Sequence, residues 1–160
     1  MSQASLVMFE EESVEITEII TRLVKEANAK SAYLVDKDGQ LISSAGETQD
    51  IDSTSLASLT AGNIAATGGL AKLIGEQEFS ILFHEGEKDN IHISIVGHRV
   101  ILVIIFDERS SLGLVRLRVR KAGEELGKTI QKILARMDSA DSKENLLEEI
   151  TDDDIEGLFS

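Results

Sequence analysis

The sequence predicts an α/β fold of the α+β class: a mostly antiparallel five-stranded sheet with helices on both faces, in the order α-β-β-α-β-β-β-α. Three segments repeat apolar residues every three or four positions, which is the period of an amphipathic helix. Five short segments are apolar or alternate apolar with polar residues, as strands do. Turns of hairpin length join the first strand to the second, the third to the fourth and the fourth to the fifth, which predicts antiparallel pairing.

The chain begins with a predicted helix followed by a hairpin. Residues 9–29 place Ile16 and Ile20 at helical intervals, behind acidic residues that favour a helix N-terminus. Residues 31–35 and 40–45 predict two strands. The Asp-Lys-Asp-Gly sequence between them is a turn by composition, because Asp and Gly tolerate the backbone angles that turns require.

The second helix is predicted over residues 53–75, begins at the capping residues 52–54, and carries two different faces. The first face is apolar and is predicted to join the core; it comprises Leu56, Leu59, Ala66, Leu70 and Leu73. The second face has almost no side-chain volume; it comprises Ala57, Ala61, Gly62, Ala65, Gly68 and Gly69. Each glycine inside a helix costs about 1 kcal/mol relative to alanine, so a close contact should offset the loss. The contact is either the chain's own sheet or the backbone of another chain, and the spacing leaves both open.

Three strands and a long helix are predicted next. Residues 79–84 and 91–96 predict two strands, and the alternating isoleucines of the second predict one buried face. This leaves His92 on the polar side of the strand, either solvated or hydrogen-bonded within the structure. Residues 99–106 are almost continuously apolar and predict a central strand covered on both sides. Residues 112–137 keep helical spacing for about seven turns.

Three regions divide the chain. Residues 1–138 are predicted to form one domain, residues 139–150 a flexible polar linker, and residues 151–160 a C-terminal tail that binds a partner. A segment as short as the tail does not hold a helix alone, so we expect it to fold only against that partner. Its apolar anchors would be Ile155, Leu158 and Phe159.

The net charge of −13 makes nucleic acid and anionic membrane surfaces improbable partners, because like charges repel. The absence of cysteine excludes disulfides, thiolate metal sites and thiol nucleophiles. The N-terminus does not read as a secretory signal, and the apolar run at residues 100–106 is far below the roughly 20 residues that span a bilayer. We therefore expect a cytoplasmic protein without membrane insertion.

No catalytic arrangement is evident. Residues 123–129 resemble a phosphate-binding loop, but three residues separate the glycines where four are required, and the segment lies in a predicted helix. The histidines show no metal-ligand spacing and no pairing with a nucleophile. A basic cluster early in the last helix could supply an arginine finger, but we expect Arg120 to pair with Glu124 on a solvated face; the cluster comprises Arg116, Arg118, Arg120 and Lys121. The prediction is a non-enzyme with no metal and no cofactor.

The element order and five segments resemble the Roadblock/dynein light chain family. The segments are LVDKDGQLISSAG at 34–46, DSTSLASLTAGNIAATGGLAKLIG at 52–75, VILVIIFD at 100–107, SLGLVRLRVRKAGEELGK at 111–128 and the tail DDDIEGLFS at 152–160. The resemblance implies a homodimer in which the sheets join and the two second helices lie side by side as a platform for one Ras-like small GTPase. The docking positions it implies are Ala61, Ala65, Gly68, Gly69 and Lys72.

The resemblance also implies a mechanism. The regulator stimulates GTP hydrolysis by repositioning the catalytic groups of the GTPase, and inserts no arginine of its own. The tail residues Ile155, Leu158 and Phe159 would dock at a separate site on the GTPase and affect nucleotide exchange. The implied setting is control of cell polarity and gliding motility, with the protein concentrated at a cell pole. The alternative is a scaffold that binds a GTPase without stimulating hydrolysis.

Overall fold

The computed structural model describes Leu6 and residues 8–159, with residues 141–159 described by their backbone alone. Three helices and five strands follow one another in the predicted order. They are α1 (Glu10–Glu26), β1 (Ser31–Asp36), β2 (Leu41–Gly46), α2 (Ser53–Leu73), β3 (Ile81–Glu85), β4 (Asn90–Val96), β5 (Val100–Phe106) and α3 (Leu112–Phe159).

The five strands form one sheet in the order β2-β1-β5-β4-β3. Every pairing is antiparallel, and β5 lies at the centre, fully buried, between β1 and β4. The predicted α+β fold and the predicted central strand are therefore confirmed. The edge strands are β2 and β3, and of the two, β3 has the more exposed side chains.

The helices cover the two faces of the sheet unequally. The larger apolar core lies on the face covered by α1 and α3, and includes Ile16, Ile20, Leu102, Leu126 and Ile130. The smaller core lies on the face covered by α2, and includes Tyr33, Val35, Ala57, Ile101 and Val103. Helices therefore lie on both faces, as the sequence predicts.

The prediction that β4 has one buried face is wrong, because the side that carries His92 is buried as well. His92 and Ser94 are 1% and 7% exposed, and both lie on the side of β4 that carries Val96 into the larger core. Alternation along the strand correctly separates two faces. It does not reveal that α3 approaches the side that looks polar.

The predicted core face of α2 is wrong for most of its residues, and of its leucines only Leu56 packs against the smaller core. Leu59, Leu70 and Leu73 are 74%, 58% and 82% exposed, whereas the buried residues of this helix are Ala57, Thr60 and Ala71. Small side chains allow the helix backbone to lie close to the sheet, so the alanine side faces inward near Ala57, and Leu59, Leu70 and Leu73 face outward. The interpretation in which the small-residue face meets the chain's own sheet is confirmed near Ala57, whereas contact of its exposed positions with another chain stays a prediction.

Helix α3 extends beyond its predicted end near residue 137 and continues to Phe159. Among its described side chains, the last buried one is Ile133, and Met137 packs partly against the larger core. A helical backbone does not by itself show whether a segment acts as a linker. The division of the chain into a domain, a linker and a tail at residues 138 and 150 therefore stays a prediction. In the described residues, no helix combines the length and apolarity needed to cross a membrane.

Candidate functional site

A groove of about 370 Å³ runs along the C-terminal half of α2, beside the segment that leads into β3. Its walls also include Lys37, Ile64, Phe79 and Ile95. The groove contains all five positions to which the family resemblance assigns docking, namely Ala61, Ala65, Gly68, Gly69 and Lys72. The fold therefore brings these residues together on one surface, which we call the α2 groove, and their role in docking stays a prediction.

Two local features fix the position of α2. Asp52 caps the helix, since its carboxylate accepts hydrogen bonds from the Ser55 backbone N–H at 3.2 Å and from the Ser55 hydroxyl at 2.7 Å. These bonds lower the pKa of Asp52 and confirm one of the predicted caps. The β1–β2 turn closes against the helix through Gly39, whose φ is +93° and whose added Cβ would lie 3.6 Å from Cβ of Ala61.

The floor of the α2 groove is open space. A Cβ atom added at Gly68 or at Gly69 would meet no atom within 4 Å. The packing of this chain therefore does not require glycine at either position, although each glycine weakens the helix by about 1 kcal/mol relative to alanine. The contact that would offset this loss is with another molecule, which favours the second of the two interpretations of these glycines.

One wall of the α2 groove carries a charge network. The carboxylate of Glu78 lies 2.7 Å from Nδ1 of His98 and 3.2 Å from Nζ of Lys37. These hydrogen bonds, first that of His98 and then that of Lys37, lower the pKa of Glu78. By contrast, Lys72 is exposed, and its side chain forms no hydrogen bond or ion pair with any described residue. The groove thus presents an available cation beside a smooth floor.

A second exposed feature of α2 is the leucine stripe, defined as Leu59, Leu70 and Leu73. Leu59 lines another groove, of about 420 Å³, between α2 and strands β3 and β4, where Nδ2 of Asn63 lies 3.2 Å from Nε2 of His84. Isolated exposed leucines are common on protein surfaces, but an apolar row along one helix indicates an interaction surface.

The residues considered for catalysis lie apart from the α2 groove. Arg116 and Arg120 line a cavity on the opposite face of the sheet, with His92 and Ser94. The expected pair between Arg120 and Glu124 is not formed, so that expectation is wrong; both side chains border the same cavity. The described part of the chain holds no group of three potential metal ligands. Residues 123–129 lie inside α3, as predicted.

The tail anchors Ile155, Leu158 and Phe159 lie in the helical backbone of α3, and their side chains lie outside the described part of the structure. Their docking role stays a prediction. The charge network of Lys37, Glu78 and His98 was missed by sequence reasoning. Lys37 and His98 lie 41 and 20 residues from Glu78 along the chain, and no local pattern joins them.

Comparison with known sequences and structures identifies Roadblock-type proteins. The sequence model of the Roadblock/LC7 domain matches residues 15–106. Myxococcus xanthus MglB is 65% identical, with a TM-score of 0.76, over 80% of this chain and 96% of that one. The gliding protein MglB from Thermus thermophilus is 31% identical, with a TM-score of 0.76, over 82% of this chain and 99% of that one.

A third solved structure, MglB with a tetrameric arrangement, is 30% identical, with a TM-score of 0.78, over 82% of this chain and 99% of that one. Among curated protein sequences, no significant match was found.

Proposed function

The chain belongs to the Roadblock/LC7 family, and from this premise we propose that it is a homodimeric activator of GTP hydrolysis by a Ras-like small GTPase of the MglA type. The similarity to MglB proteins over most of the chain supports a regulatory role. The name of the Thermus relative, a gliding protein, supports a role in gliding motility. Control of cell polarity is proposed with it from the family resemblance.

One observation carries the proposal: the α2 groove has a glycine floor that the chain's own packing does not need. A surface without side chains admits another backbone closely, and Lys72 would meet an acidic group of the GTPase at its rim. In this proposal the five docking residues would form a contact surface that contributes no catalytic group.

The leucine stripe and the edge of β3 supply the proposed dimer contacts. An exposed edge strand presents unpaired backbone N–H and C=O groups that a second copy can pair with. Two copies joined at β3 would bring their α2 helices together, and the leucine stripes would then be buried between them. The platform would offer two α2 grooves to one GTPase, which is the basis for proposing two protomers per GTPase.

The activator would act without an arginine finger. Arg116 and Arg120 lie on the face of the sheet opposite α2, so neither reaches a GTPase seated on the α2 groove. The chain would then accelerate hydrolysis by holding the GTPase's own catalytic groups in position, which is a recognised contribution to phosphoryl transfer. In this proposal the chain has no active site of its own.

The tail is proposed to bind the GTPase at a separate site through Ile155, Leu158 and Phe159 and to promote nucleotide exchange. Deletion of residues 139–160 removes none of the buried side chains described for α3, since the last of these is Ile133. We expect the truncated chain to fold and dimerise normally but to bind the GTPase more weakly. A large loss of thermal stability would contradict this role.

The decisive experiment measures single-turnover GTP hydrolysis by the MglA-type GTPase with and without this protein. An activator stimulates hydrolysis and prefers the GTP-bound state. A scaffold binds both nucleotide states equally and leaves the rate unchanged. Ala65→Arg or Gly69→Arg should abolish binding and stimulation without lowering the melting temperature, whereas Arg116→Ala with Arg120→Ala should retain stimulation. Unchanged binding in both α2 variants would show that the docking face lies elsewhere.

A further inference from the structure

A larger cavity, of about 660 Å³, lies on the face of the sheet opposite the α2 groove. We call it the α3 groove, because the first turns of α3 form one wall and strands β3 and β4 form the other. Arg116, Arg120 and the 61% exposed Leu117 border it, and His92 and Ser94 lie at its floor. None of these residues has a place in the activator function proposed above.

The floor of the α3 groove has buried polar atoms without partners. His92 is 1% exposed and Ser94 is 7% exposed. Neither ring nitrogen of His92 nor the hydroxyl of Ser94 forms a hydrogen bond with a described residue. Buried polar groups in folded proteins are almost always paired, so such a cluster indicates a missing partner. A neutral imidazole would offer this partner one donor and one acceptor.

The rim of the α3 groove is basic in a chain of net charge −13. Arg116 and Arg120 form no hydrogen bond or ion pair with a described residue, and Glu124 is the acidic residue that lines the groove. Gly123 keeps the wall open, since an added Cβ there would meet no atom within 4 Å. The groove therefore suits an acidic occupant with apolar side chains.

We propose that the α3 groove binds the C-terminal segment, residues 151–160, of a second copy of this chain. The segment carries aspartates at 152–154 next to Ile155, Leu158 and Phe159. An aspartate carboxylate would accept hydrogen bonds from Arg116, Ser94 and the N–H of His92, and an apolar side chain of the segment would cover Leu117. The aspartates of the segment would therefore neutralise the arginines at the rim and supply hydrogen-bond acceptors to the buried polar groups at the floor.

While α3 is continuous to Phe159, the segment cannot reach the α3 groove of its own chain, so the occupant comes from another copy. At 1.5 Å per residue, Ile155 lies about 57 Å from Leu117 along a continuous helix. Two copies with antiparallel α3 helices would exchange their segments reciprocally, as a two-fold contact requires. The inference does not depend on GTPase activation. If both hold, the segment has two competing sites, and the α3 groove withholds it from the GTPase.

Disulfide cross-linking between full-length copies tests the inference, because the natural chain has no cysteine to interfere. One tagged copy carries Leu117→Cys, the other carries Ile155→Cys, and the two are mixed under mild oxidation without any GTPase. We expect the mixed species to form at least about tenfold faster than with Val14→Cys, an exposed position on α1. Equal rates at the two positions would overturn the proposal.

Charge reversal tests the recognition itself. Arg116→Glu with Arg120→Glu should reduce the cross-linking rate to the level of the Val14 control, and Asp152→Arg with Asp153→Arg in the other copy should restore it. The matched variant, Lys25→Glu with Lys128→Glu, changes the charge equally at positions outside the α3 groove and should leave the rate unchanged. Thermal melting monitors folding in every variant. Equal effects of the two reversals, or no rescue, would contradict a specific site.

Discussion

Nδ1 of His98 lies 2.7 Å from Oε1 of Glu78, across the wall of the α2 groove. His98 belongs to the β4–β5 turn and adopts a left-handed φ of 57°, while Glu78 precedes β3. Lys37, in the β1–β2 turn, binds the other carboxylate oxygen of Glu78. One carboxylate therefore connects two turns to the strand that forms the free edge of the sheet.

The pKa of Glu78 is lowered by His98 and then by Lys37, so its stabilising effect is present above the ordinary carboxyl range and is lost as the pH falls through it. Glu78→Gln should therefore lower the free energy of unfolding at neutral pH, by less than about 1 kcal/mol for a partly exposed pair. The difference from the natural chain should vanish once the pH is well below the carboxyl range, as measured by urea denaturation. Glu87→Gln, at an exposed turn position, is the control, and an equal difference at both pH values would refute the assignment.

Gly68→Ala and Gly69→Ala should each raise the free energy of unfolding by about 1 kcal/mol, since alanine favours helices and meets no atom here. The same changes should weaken GTPase binding, because the added methyl group separates the docking backbones. Gly62→Ala also adds a methyl group in open space but outside the α2 groove, so it should stabilise the chain without affecting binding. Chemical denaturation and a binding titration distinguish these effects.

Leu70→Glu should convert the proposed homodimer to a monomer. Leu70 is 58% exposed in the single chain, so a charge there should leave the folded monomer intact. It should destabilise only the interface in which a second copy would bury this side chain. Sedimentation velocity would show the change in mass, and circular dichroism should show intact secondary structure. Val14→Glu alters a similarly exposed apolar residue on α1 and should leave the dimer intact. A dimer that survives Leu70→Glu would place the interface outside the leucine stripe.

Tyr33→Phe should stabilise the chain. Tyr33 is fully buried in the smaller core, and its hydroxyl forms no hydrogen bond with a described residue. Removing a buried, unpaired polar group raises stability by about 1–3 kcal/mol. Thermal melting at neutral pH provides the measurement. Tyr33→Leu, which also removes ring volume, should instead destabilise the chain. A lower melting temperature for Tyr33→Phe would mean that the hydroxyl has a partner such as bound water.

Local sequence patterns predicted the fold well because hairpin turns and alternation act over short distances. The continuous apolar run of β5 correctly indicated the centre of the sheet, and Asp52 correctly indicated a helix cap. For α2, periodicity could not distinguish an apolar face that meets the chain's own sheet from one that meets another chain, so Leu59 and Leu70 were assigned to the core.

The groups that the sequence misplaced depend on distant neighbours. His92 alternates with isoleucines and looks solvated, but α3, which follows β5 in the chain, covers that side of β4. Glu78 and His98 meet only because the β4–β5 turn comes back beside the segment before β3. The five docking positions are implied by the family resemblance, and because they lie three or four residues apart on one helix, their proximity does not depend on distant neighbours.

The two cores described above differ in size and are separated by the sheet. Most of the buried apolar residues lie beneath α1 and α3, and α2 does not contact this core. Substitutions on the exposed side of α2 can therefore accumulate at little risk to folding, and the partner preference of this scaffold can diverge while its architecture persists. The same separation makes the chain suitable for redesign toward other nucleotide switches.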